Sequence, residues 1–169
     1  MAVKIEVKAN SNTRVLRGLD KVAKIPPQFV KVGFIENVKM YRRESEDTNA
    51  FLGYIHEHGV PSSGIPARPF LLPAMRASAD KAEAYIRKGL AKSWLDPDEI
   101  ARGLGNAGTA IRDKAKANIT NAENMKPLSP KTIAIRQTPG YQGHKKGFFG
   151  TLPLNVSGQL KNAITYVVK

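Results

Sequence analysis

His56, Glu57 and His58 set two imidazoles around a carboxylate, the densest group of ligand and acid–base side chains in the chain. On a strand both imidazoles would share one face, with His144 as a third donor. That spacing matches no established closed metal site, and no Asp or Cys nearby completes one. No metal is therefore expected, and His56 and Glu57 read as hydrogen-bonding groups at the edge of a loop. Glu57 has no partner carboxylate for acid–base work. Ser157 lacks the glycine two residues earlier that a nucleophile elbow needs, since Asn155 stands there. Gly103-Leu104-Gly105-Asn106-Ala107-Gly108 matches a dinucleotide-binding spacing but lies inside a helical pattern rather than at a strand-to-helix turn. The chain thus offers no catalytic set and no cofactor cradle, and the expectation is a protein that is not an enzyme.

Binding chemistry is better represented. Arg68, just before Pro69 and Phe70, is biased towards extended backbone and could clamp Glu57 or a neighbouring subunit's carboxylate. A cation at the positive end of a helix is unfavourable, so some nearby group should compensate it. Tyr141, Lys145, Lys146, Phe148 and Phe149 interleave basic and aromatic residues in a glycine-punctuated stretch. Three uses fit that pattern: a subunit or partner interface, packing on the parent domain, and nucleic-acid binding.

The elements that hold these residues follow from periodicity and punctuation. Val3, Ile5 and Val7 alternate with charged residues, a strand over 2–9. Capping residues at 10–13 start a helix that must end before Pro26-Pro27, and Phe29 to Ile35 reads as a second strand. Residues 36–49 are charged without apolar spacing, a mobile loop or hairpin tip, and 50–58 fits a third strand or a short helix. Pro69 suits a first helical turn, and a helix is expected from Pro69 to Ser93 with Ala74, Met75, Ala77, Ala82, Ile86 and Leu90 as its apolar stripe. Asp96-Pro97-Asp98-Glu99 restarts a helix whose apolar face is Ile100, Leu104, Ala107, Ile111, Ala115 and Ile119. Gly103, Gly105 and Gly108 on it suggest close approach to neighbouring backbone. Residues 122–153 form a loop-rich arm around a short helix capped by Ser129 and begun by Pro130. A short helix over 157–163 and a strand over 164–168 close the chain. The resulting fold class is α+β: a small mixed or antiparallel sheet packed against two long helices, in one domain spanning 1–169.

Composition bounds the partners. The chain has 169 residues, no cysteine, and 27 basic against 14 acidic residues, a net charge of +13. Every acid lies at or before Glu123, so the charged residues of 124–169 are all basic. Such one-sided charge implies an anionic partner, either a polyanion or an acidic protein surface. No apolar run is long enough for a membrane-spanning helix, and no membrane partner is expected.

Three short patterns carry a family resemblance. His56, Glu57, Gly59, Pro66, Arg68, Pro69, Phe70 and Leu71 form a His-Glu-x-Gly … Pro-x-Arg-Pro-Phe-Leu pattern. Pro127, Leu128, Ser129, Pro130, Thr132 and Ile133 form the second, with Arg136 beyond it. Leu154, Ser157, Gly158, Leu160, Ala163, Ile164 and Thr165 form the third. In this order they resemble the neck and tail-completion proteins of tailed bacteriophages, akin to the minor tail protein Z group. The resemblance implies a virion component assembled in the host bacterial cytoplasm, forming a homo-oligomeric ring or collar around the DNA channel. Its implied partners are portal-side connector and tail-tube or tail-terminator proteins, with contact to packaged DNA. Arg68, Pro69 and Phe70, with the arm residues 141–149, are then the expected interface. A sequence-nonspecific nucleic-acid-binding protein and a tail terminator are the alternatives.

Overall fold

The computed structural model describes residues 13–35, 48–122, 125–139, 152–154 and 158–169. The expected strand over 2–9, most of the charged loop, and the Tyr141–Phe149 cluster lie outside the described residues, as does Ser157. The order of elements is α1 (Thr13–Ala23), β1 (Val30–Gly33), α2 (Asn49–His58), α3 (Leu71–Ala77), α4 (Ala79–Lys92), α5 (Asp98–Asn121), α6 (Pro130–Gln137), α7 (Gln159–Ala163) and β2 (Thr165–Val168). The architecture is α+β, with long helices against a small antiparallel sheet.

β1 and β2 pair in the register Val30 with Val168 through Gly33 with Thr165. Phe29 and Lys169 extend the ladder by exchanging two main-chain hydrogen bonds, 2.9 and 3.0 Å. The sheet lies on α5, and Gly108 makes the close approach possible. A Cβ there would lie 2.7 Å from the Tyr166 ring and 2.8 Å from Val30 Cγ2. Gly105 meets the same ring only at ordinary contact distance, 3.9 Å.

On its other side α5 packs against α4, where two glycines face each other. A Cβ on Gly89 would collide with the main-chain oxygen of Glu99 and sit 3.2 Å from Gly103 Cα. A Cβ on Gly103 would come within 2.8 Å of the Tyr85 carbonyl oxygen. Gly89→Ala should therefore destabilise the protein by about 1–3 kcal/mol in urea denaturation. That is opposite in sign to alanine's intrinsic helix advantage of about 1 kcal/mol.

The helix expected from Pro69 to Ser93 is two helices. Ser78, buried and at φ −105°, ψ 3°, ends α3 by donating its N–H to Ala74 and starts α4 by accepting from Ala82. The break shifts the phase of the apolar stripe: Ala74 and Ala82 are buried, whereas Met75, Ala77 and Leu90 are exposed. Gly89, not Leu90, faces α5. Residues 50–58, open between strand and helix, are helical. Thr48 Oγ1 caps α2 by accepting from Phe51 N at 3.1 Å. Asp96 Oδ1 accepts from Asp98 N at 3.1 Å, but the N-cap of α5 is Pro97 and not the expected Asp96. The Asp96 carboxyl is held below the usual carboxylate range, first by its hydrogen bond from Arg102 and then by the Asp98 N–H.

The core is built from Phe70, Ala74, Ala115, Ile119, Leu160 and Ile164, flanked by Phe34, Leu52, Leu71, Met125 and Leu154. It joins α3, α5 and the C-terminal segment.

Candidate functional site

The His56–Leu72 stretch folds as a clip between α2 and α3. α2 ends at Gly59, whose φ of +73° lies in the region that disfavours a side chain. A Cβ there would also fall 2.6 Å from Ala67 N and 2.9 Å from Ile65 O. Val60 and Ile65 then exchange two main-chain hydrogen bonds, 2.8 and 3.1 Å, around a single 3-10 turn at Pro61–Ser63. Half-buried Pro66 leads out of this small hairpin, and Arg68 N donates to His56 O at 2.7 Å. The chain has doubled back, so Glu57 stands beside the start of α3.

The Glu57 carboxylate takes up that position fully. Oε2 accepts from Phe70 N and Leu71 N at 2.9 Å each, and Oε1 accepts from Leu72 N at 2.8 Å. Three main-chain donors at the helix start are satisfied by one anion placed at the positive end of the helix dipole. Glu57 also explains why the helix begins at Leu71 and not at Pro69. Pro73, not Pro69, occupies the first turn, where its missing N–H has no partner to lose.

Arg68 does not clamp Glu57. Its side chain turns inward, 7% exposed, and donates from Nε to Lys126 O at 2.8 Å and from Nη2 to Pro127 O at 3.0 Å. Burial, and secondarily the charge of Arg136, lowers the pKa of Arg68 from its usual value. The guanidinium is a cation, as arginine is in proteins generally. Arg136 in turn donates from Nη1 to Leu152 O at 3.0 Å. Phe70, expected at an interface, is 1% exposed and sits edge-on to Phe34 at the centre of the core. Pro69 is exposed. Of the three expected interface residues that are described, two are internal because the clip turns the chain inward at Arg68 and again at Phe70.

His56 and His58 lie on a helix, two residues apart, so their side chains diverge by roughly 160° and do not share a face. Among the described residues, no three His, Asp or Glu side chains come together as metal ligands. Gly158, at φ +68°, turns the chain into α7 and delivers Leu160 to the core. Ser129 Oγ caps α6 by accepting from Thr132 N at 3.2 Å, as its position before Pro130 predicts.

Two features escaped the sequence reading. Asn118 Nδ2 donates to Phe70 O at 2.9 Å, tying α5 to the clip. Its signal was present: an amide between Ala115 and Ile119 on an otherwise apolar face. The second is an aromatic face on α2. Phe51 (51% exposed) and Tyr54 (66% exposed) point outward, with the Tyr54 and His58 rings 4.6 Å apart. From Thr48 to Leu72 the only formally charged residues are Glu57 and Arg68, and both are committed internally. No protein-family model, no curated protein and no solved structure matches this chain.

Proposed function

We propose that this protein is a structural virion component of a tailed bacteriophage, a subunit of the neck or tail-completion ring around the DNA channel. The observation that carries this reading is that its three short patterns meet. Arg68 of the first holds the carbonyls of Lys126 and Pro127 at the second, while Phe70 of the first shares a core with Leu160 and Ile164 of the third. Patterns that are weak when taken singly thus act as one structural unit. Glu57, Arg68, Ser129 and Arg136 all make hydrogen bonds to main-chain groups, which suits a scaffold better than a turnover site.

Subunit contact has a natural place. Copies of a +13 chain repel one another, and the aromatic α2 face is the stretch where two copies meet without opposed lysines. Phe51→Glu with Tyr54→Glu should convert rings seen by negative-stain microscopy into monomers. Each aromatic anchor contributes on the order of 2 kcal/mol to association. Light scattering that finds only monomers of the native chain, together with its absence from mass spectra of the purified phage, would overturn the proposal.

A further inference from the structure

We infer that one edge of α4 is a binding site for the phosphate backbone of duplex nucleic acid. Lys81, Lys88 and Lys92 follow one another at i, i+7 and i+11, which aligns them within about 40° on the helix cylinder. All three are exposed and make no hydrogen bond or ion pair among the described residues. The acids of α4 point elsewhere. Glu83 pairs with Arg87 on the far side at 2.7 Å, and Asp80 lies about a quarter-turn away in the first turn. Beside the row lie exposed Ala84 and Ala91, small enough to let a bulky polyanion approach the helix. On the opposite flank is half-buried Tyr85.

The form of the row selects its ligand. Along a straight helix the three ammonium groups spread over about 16 Å, at a rise of ~1.5 Å per residue. They therefore cannot converge on one compact anion. A duplex presents a charge every ~1.7 Å of its axis, roughly ten over that length. Point charges in a line, without arginine forks and flanked by small Ala84 and Ala91 and by Tyr85, suit a linear phosphate backbone read without sequence preference. An acidic protein surface would be expected to meet a mixed rim of hydrogen-bonding and apolar groups. The row depends on charge placement alone and stands apart from the ring reading.

The test is fluorescence anisotropy with a random-sequence duplex over a salt series. It compares the native chain with the triple variant Lys81→Gln, Lys88→Gln, Lys92→Gln, which keeps helix-forming residues throughout. A control of equal charge carries Lys21→Gln, Lys131→Gln and Lys169→Gln, all exposed positions on other elements. The expected result is a salt slope shallower by about 2.7 in the α4 variant and affinity at least tenfold weaker at low salt. The control should lose clearly less, with circular dichroism melting of both variants close to native. Equal loss in both variants would overturn the site by showing diffuse electrostatics. So would no duplex binding by the native chain at low salt, or an unchanged slope with lost retention on poly-glutamate, which would assign the row to acidic proteins.

Discussion

Phe70→Ala is expected to destabilise the protein by about 3–5 kcal/mol, the usual cost of emptying a buried phenyl site. For a chain of 169 residues this lowers Tm by on the order of 10 °C or more. The ring is 1% exposed, stands edge-on to Phe34 at 6.2 Å, and touches the cluster that also holds Ile119 and Ile164. The measurement also separates two roles. An interface phenylalanine would leave the dilute monomer's melting unchanged and weaken only assembly. Denaturation below the assembly concentration should show the full loss.

Glu57→Ala should cost about 2–4 kcal/mol, because three main-chain donors lose a charged acceptor and hydrogen bonds to charged groups contribute about 1.5–3 kcal/mol each before water partly replaces them. Glu57→Gln should recover part of this loss, since one oxygen still accepts while the favourable charge at the helix start is gone. Urea denaturation of the two variants checks the order. The outcome matters for function as well as for folding. Carboxylates held for chemistry are commonly strained, and their removal is neutral or stabilising. A Glu57→Ala variant as stable as the native chain would mark this group as a functional acid and undo the reading of the clip as a scaffold.

Much of the architecture was legible because local chemistry settles it. Asp96-Pro97 starts α5, Ser129-Pro130 starts α6, and the β-branched run at 165–168 forms β2 where its residue types place it. Where the reading was open or wrong, long-range partners decided. Phe51, Leu52, Tyr54 and Ile55 fit no single period, because α2 leaves two of them facing outward. The break at Ser78 has no proline or glycine to announce it. Arg68 was expected to meet an acid, yet its partners are carbonyls 58 and 59 residues away, and main-chain acceptors leave no trace in side-chain spacing. The lysine row on α4 was visible in the spacing, but its orientation depended on knowing that Gly89 faces α5.

The pairing of Val30 with Val168 has a consequence for synthesis. Helices α3 to α5 can pack while the nascent chain is still on the ribosome, since they are contiguous in sequence. Val30 and Val32 must wait for Thr165–Val168 to be translated, so Tyr166 cannot cover its side of Gly108 until then. A translation product stopped short of Thr165 would carry α3 to α5 without β2, leaving the side of Gly108 that Tyr166 covers open to chaperones.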